Sequence, residues 1–185
     1  MEKVCVFLAD GFEEIEGLTV VDLLRRAGEQ VEMVSIMGRK QICGSHQIRV
    51  EADSLFEETD FSDAKLLVLP GGMPGTRYLG AHEGLRGLLK EWNSQGKKIA
   101  AICAAPSVLG DLGLLEGKEA VCYPGFEDRL TGAVIGAGKV AVDGNITTSR
   151  GLGTAIPFAA SLIEQLQSPE KAQEIKKSII YGHLS

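Results

Sequence analysis

Lys97-Lys98-Ile99-Ala100-Ala101-Ile102-Cys103-Ala104-Ala105-Pro106 decides the reading of this chain. A short apolar run of isoleucine and alanine ends on a cysteine, and helix-starting residues follow at once. The pattern predicts a buried strand, a sharp turn and a helix, with Cys103 at the corner. A side chain at such an elbow lies beside free backbone N–H groups and the positive end of a helix dipole. Both favour a thiolate, the reactive form of cysteine. Most free cysteines are small core hydrophobes; the position on the turn favours a nucleophile here.

The same texture repeats outward from this elbow. Residues 3–9 and 65–69 are continuous apolar runs of the kind that central parallel strands show. Residues 15–27 are helical in period, with Gly28 as the stop, and residues 31–36 complete a β-α-β unit. Gly44-Ser45 and the alternation of Ile48, Val50 and Ala52 predict a small inserted hairpin. Residues 83–95 read as a helix ended by Gly96, and a short helix follows Cys103 to about Leu112. Asp143-Gly144-Asn145 is a turn between two strand-like pieces. Ala155, Phe158, Ala159, Leu162, Ile163 and Leu166 mark an amphipathic helix. Ser168-Pro169 starts a last one. Strands alternating with helices imply a doubly wound, mostly parallel α/β sheet covered on both faces, and residues 1–185 are expected to form one domain.

Composition narrows the function classes. The 185 residues carry a formal net charge of −6, and Lys and Arg are not clustered, which argues against nucleic-acid binding. No apolar run reaches the roughly 20 residues of a membrane span, and no signal-peptide anatomy is present, so a cytoplasmic location is expected. Cys5, Cys43, Cys103 and Cys122 form no C-x-x-C pair and have no histidine at ligand spacing. Neither a metal site nor a disulfide framework is therefore expected. Cys5 reads as packing, whereas Cys43 and Cys122 lie near turns where partial exposure is expected.

Ligands of doubly wound sheets sit beyond the carboxyl ends of the strands. Four predicted loops leave such ends: residues 10–16, 70–75, 103–106 and 150–153. The Gly71-Gly72 pair and Gly151-Leu152-Gly153 allow close backbone approach to a small ligand, but neither is a phosphate loop. They are read as pocket walls, with the backbone N–H groups of Gly72 and Ala104 placed to receive an oxyanion. Glu13 and Glu14 are covered by dipole compensation at a helix start, before the helix or on its outer side. Glu16, four residues from Val20, lies on a face that can turn toward the crevice. A carboxyl there would lose solvation, stay protonated, and donate to the Cys103 sulfur. His46, His82 and His183 fall in loops or the tail, and none adjoins Cys103. The absence of a local Cys-His pair weakens a peptidase or amidase reading.

With these residues in view, the chain resembles the DJ-1/ThiJ/PfpI superfamily, nearest to its deglycase and glyoxalase III branch. The matching segments are Leu8-Ala9-Asp10-Gly11-Phe12-Glu13-Glu14-Ile15-Glu16, Val68-Leu69-Pro70-Gly71-Gly72, Ile99 to Pro106, and Thr148-Ser149-Arg150-Gly151-Leu152-Gly153-Thr154. They occur in the family's order and span essentially the whole chain. The resemblance implies a flavodoxin-like, class I glutamine amidotransferase-like fold and a homodimer. It also implies an elbow cysteine held by a protonated glutamate, here Cys103 and Glu16, and an oxyanion site at Gly72 and Ala104. Gly71, Tyr123, Arg150 and Gly151 are the expected pocket residues. Tyr123 stands where animal members carry a histidine, and Ser45 where some members carry an arginine. Ala104 stands where protease-type relatives have histidine after the cysteine.

The expected activity is a cysteine-dependent, glutathione-independent glyoxalase or deglycase acting on 2-oxoaldehydes or their early amine adducts. No cofactor or metal is expected, and the partner is a small carbonyl substrate. The alternative is a redox-sensing, chaperone-like protein whose Cys103 oxidises to sulfinate. A thiamine-thiazole role carries least weight, since no phosphate loop supports it.

Overall fold

Alternation of side chains along the central strands sorts the core into two layers. The computed structural model describes residues 2–182. In chain order the elements are β1 (Lys3–Leu8), α1 (Glu14–Arg26), β2 (Val31–Ser35), β3 (Gln41–Cys43), β4 (Arg49–Glu51), β5 (Ser54–Leu55), β6 (Ala64–Leu69), α2 (Gly75–Ala81), α3 (Glu83–Ser94), β7 (Lys98–Ile102), α4 (Pro106–Asp111), β8 (Glu119–Ala120), β9 (Val134–Ile135), β10 (Val140–Asp143), β11 (Ile146–Ser149), α5 (Ala155–Leu166) and α6 (Pro169–Ser178). Cys5, Phe7, Leu67, Leu69, Ile99 and Ala101 face Leu85, Leu89 and Trp92 of α3 and Val108 and Leu109 of α4. Val4, Val6, Leu8, Leu66, Val68, Ala100 and Ile102 face Val20, Val21 and Leu24 of α1 and Phe158, Ala159, Leu162 and Ile163 of α5. This is the flavodoxin-like, class I glutamine amidotransferase-like arrangement with helices on both faces.

The main sheet has the order β10-β11-β7-β6-β1-β2-β5. All pairs are parallel except β10–β11, which run antiparallel through the Gly144 turn. The chain leaves β1 toward β2 and β5, then crosses back to add β6 on the other side. The topological switch therefore lies between β1 and β6, and the loops leaving those two strands flank a crevice.

Helix α1 forms despite Gly17, which costs about 1 kcal/mol in a helix interior. Burial of Val20, Val21 and Leu24, worth roughly 1.5–3 kcal/mol each, outweighs that cost. Gly17 is there for space: a Cβ would stand 2.9 Å from Cε2 of Phe12. The expected hairpin is present as β3–β4. Two elements have no counterpart in the sequence reading. Helix α2 is hidden by the glycines and prolines around it, and β5 adds only two residues at the sheet edge. Cys122, expected to be partly exposed, is buried at 3 % because it packs with Leu115 and Leu130 in the core.

Candidate active site

The elbow at Cys103 is built as the sequence predicts. Strand β7 delivers the residue to the carboxyl end of the sheet, Pro106 opens α4, and Cys103 itself has a φ of 66°. A left-handed conformation costs a non-glycine residue about 1–2 kcal/mol. It is held from both sides: the Cys103 N–H donates to the Ser149 carbonyl at 3.0 Å, and its carbonyl accepts the Tyr123 N–H at 2.8 Å. Strand β11 and the loop after β8 thus lock the corner.

Glu16 reaches the same point from α1. Its side chain is buried, accepts a hydrogen bond from the Gly71 N–H at 3.0 Å, and lies against Cys103, the two flanking the same point beside Gly71. Gly71 has to be glycine, since a Cβ there would stand 2.5 Å from Cβ of Cys103 and 2.6 Å from Oε2 of Glu16. Gly72 has φ 91°, and a Cβ on it would lie 2.3 Å from the Glu13 nitrogen. The N–H groups of Gly72 and Ala104 lie beside the Cys103 sulfur and favour its charged form. The structure therefore brings Cys103, Glu16, Gly71, Gly72 and Ala104 together.

Burial pushes the Glu16 carboxyl up to about 7, and the nearby charge of Glu13 adds to this, while hydrogen bonds from Cys103 and Gly71 pull the other way. Burial also pushes the Cys103 thiol up to about 12, reinforced by the charge of Glu16 and by their hydrogen bond. The Gly72 and Ala104 N–H groups oppose that rise. The sequence predicts a thiol made acidic by the elbow; the direction is reversed, because the elbow buries the sulfur and sets it against an acid. Between these two values the pair holds one proton. With the proton on Glu16, a repelling charge becomes a hydrogen-bond donor to sulfur. The two backbone donors remain in place to carry the negative charge.

The outer wall comes from the loop after β11. A Cβ on Gly151 would lie 3.4 Å from Cδ2 of Tyr123 and 3.9 Å from Oε1 of Glu16, so the half-exposed Tyr123 ring stands over Gly151 beside the acid. Thr154 Oγ1 accepts the N–H groups of Arg150 and Gly151 at 3.2 and 3.1 Å and fixes this loop. Arg150 borders the site by its backbone; its guanidinium acts on Cys122 and Glu127.

Glu13 and Glu14 do more than compensate a dipole. Glu13 caps α1, its Oε2 accepting the Glu16 N–H at 2.9 Å. Glu14, expected outside, is 1 % exposed. The hairpin turn closes over it: Oε1 accepts the N–H groups of His46 and Ile48 at 2.8 and 3.3 Å, and Oε2 accepts from Ser45 Oγ at 3.3 Å. Donor atoms of Glu13, Glu14 and His46 lie within 4.8 Å of one another. Protein donors already occupy Glu14, so the group anchors the hairpin and does not make a cation cage. Ser45 is spent on this anchor. His82 caps α3 by accepting the Leu85 N–H at 3.0 Å, and His183 lies outside the described residues.

Comparison with known proteins identifies the family. The DJ-1/PfpI family profile matches residues 2–165. The chain belongs to the DJ-1/PfpI family. It is 38 % identical over 181 residues to protein DJ-1 homolog B of Arabidopsis thaliana, covering 97 % of this chain and 41 % of that one. The chain thus spans less than half the length of that plant relative. It is 32 % identical over 167 residues to a deglycase of Pyrococcus abyssi, covering 89 % of this chain and 99 % of the other. The structure of oxidized Toxoplasma gondii DJ-1 superposes with a TM-score of 0.94 at 39 % identity, covering 98 % of this chain and all of its counterpart. Among the described residues, no helix is long and apolar enough to cross a membrane.

Proposed function

We propose that this DJ-1/PfpI member is a cysteine-dependent, glutathione-independent glyoxalase or deglycase acting on methylglyoxal-type 2-oxoaldehydes or their early adducts. The observation that carries this reading is the buried Glu16 carboxyl, held by the Gly71 N–H, lying against Cys103 at the point where Gly71 leaves no space, with the Gly72 and Ala104 N–H groups beside the same sulfur. The Cys103 sulfur adds to the aldehyde carbon while Glu16 gives its proton to the carbonyl oxygen, forming a hemithioacetal. Glu16, now a carboxylate, takes the proton from that carbon and returns it to the neighbouring one, while the hydroxyl proton passes from the first oxygen to the second. The product is a thioester of the 2-hydroxy acid, which water cleaves to free acid and thiol. In this reading the Gly72 and Ala104 N–H groups stabilise the oxyanions of the addition and hydrolysis steps. The deglycase name of the archaeal relative supports the substrate class. Loss of methylglyoxal consumption and of lactate formation in Cys103→Ala is expected; unchanged consumption would overturn the proposal.

A homodimer forms part of the proposal. Ile15, Leu18, Leu23, Ile156 and Ile179 line a groove of about 360 Å³ on one surface, and Ile15 is 48 % exposed. Light scattering that gives a monomer mass would remove this part. A cytoplasmic location is proposed with it.

A second reading has its own support. The neutral acid and paired N–H groups that suit a thiolate also suit a sulfinate, and the Toxoplasma gondii relative is described as oxidized. In that redox-sensing, chaperone-like role, mild peroxide adds two oxygens at Cys103 and no aldehyde turns over. Intact-mass spectra with a parallel turnover assay separate the two.

A further inference from the structure

Glu13 joins the hairpin to the acid and has no part in the steps above. One oxygen, Oε2, accepts the Glu16 N–H at 2.9 Å. Its own N–H donates to the Gly71 carbonyl at 2.8 Å, and the Gly71 N–H in turn binds Glu16. The other oxygen, Oε1, lies 3.6 Å from Nδ1 of His46, and the side chain is only 12 % exposed. A carboxylate so shielded from water acts on its neighbours more strongly than a surface charge does.

We propose that Glu13 is a positioning residue for the Glu16–Cys103 pair. One oxygen fixes the first turn of α1, and the side chain, as a near anion, biases the shared proton from the Cys103 sulfur toward Glu16. Only that proton moves; the negative charge passes from the Glu16 carboxyl to sulfur, where the Gly72 and Ala104 N–H groups receive it. The inference rests on the proposed reacting pair and deepens it. The groups facing Glu16 are Cys103 from the elbow, the uncharged Gly71 backbone from the β6 loop, and Gly151 with the Tyr123 ring from the outer wall. Facing Glu13 are Glu14 and His46. Glu13 is a charged neighbour that raises Glu16; it is hydrogen-bonded to Glu16 and Gly71 directly, and among the described residues it has no hydrogen bond to Cys103. Its charge therefore discriminates between the two proton sites.

The test compares Glu13→Gln, which keeps an oxygen for the Glu16 N–H and removes the charge, with Glu13→Ala, which removes both. The readout is alkylation of Cys103 by iodoacetamide in the full-length chain from about pH 5 to about pH 9, followed on the Cys103 peptide. In Glu13→Gln the neutral-pH rate is expected to fall by a factor of roughly three to ten, the change that a shift of half a unit to one unit implies. The acid limb of the profile moves to lower pH, while thermal stability stays near that of the parent. In a Glu16→Gln background, adding Glu13→Gln leaves the profile unmoved. A Glu13→Gln profile that superposes on the parent, or a shift that persists without Glu16, overturns the inference. Alkylation needs no carbonyl substrate, so failure of aldehyde turnover would count against the proposed function and not against this result. If only Glu13→Ala moves the profile, Glu13 is a helix cap alone and the inference fails.

Discussion

A Cβ built on Gly71 would stand 2.5 Å from the Cβ of Cys103. The two residues meet in van der Waals contact with no space left between them, and Glu16 Oε2 fills the remaining side at 2.6 Å. Gly71→Ala therefore has to push the sulfur and the carboxyl apart. Overpacking of this kind costs about 1–3 kcal/mol. Cys103 alkylation is expected to lose its dependence on Glu16, and thermal unfolding to move down by several degrees. An unaltered alkylation profile in Gly71→Ala would show that the contact does not hold the pair.

Glu16 gives stability a pH dependence of definite sign. Burial raises its pKa from 4.5 to about 7 in the folded chain, so below the unfolded value both states are protonated and the folded state keeps its full advantage. As pH rises through this interval the unfolded chain loses its proton first, and stability falls, by roughly 3 kcal/mol in all. Glu16→Gln removes this slope. Urea unfolding at about pH 5 and about pH 8 should show a loss in the parent that the Gln variant lacks.

Glu14 has the opposite sign. Burial alone would raise its carboxyl, but the N–H groups of its own backbone, His46 and Ile48, with the His46 ring, outweigh burial and lower it. The stability it contributes is present above the unfolded value and is lost as the solution is acidified through the folded one. Glu14→Ala also leaves several hairpin donors unpaired, at a cost of about 2–4 kcal/mol. Hydrogen exchange should quicken first at His46 and Ile48, and equal protection of both amides in the variant would refute the anchor.

The left-handed backbone at Cys103 predicts an unusual order among inert variants. Alanine keeps the φ of 66° and its strain, whereas glycine relieves it. Cys103→Gly is expected to exceed Cys103→Ala in stability by about 1 kcal/mol, measured by urea denaturation of the two side by side. A less stable glycine variant would mean that lost side-chain packing outweighs the strain.

Much of the fold was legible because its central strands are buried on both faces, and residues such as Val4 to Leu8 or Leu66 to Leu69 then read as unbroken apolar runs. Helix α2 was not, because Gly75 and Gly80 and the preceding prolines carry a loop signature; Leu79, fully buried, holds it by tertiary packing. The elbow at Cys103 was visible locally, and so was the crevice-facing side of Glu16. The fate of Glu14 was not, since its partners His46 and Ile48 arrive from a distant hairpin. The direction of the thiol shift was hidden for a similar reason: a corner position signals donors, but burial against a carboxyl depends on how α1 packs on the sheet.

The peptide of Cys103 is held by Ser149 on one side and by Tyr123 on the other, while its sulfur faces an acid from the first helix. None of these neighbours is local in sequence. A nascent or damaged polypeptide carries an ordinary thiol at this position, so the paired environment of residue 103 exists only once maturation is complete, and the departure of its titration from that of a free cysteine is a built-in report on conformational integrity.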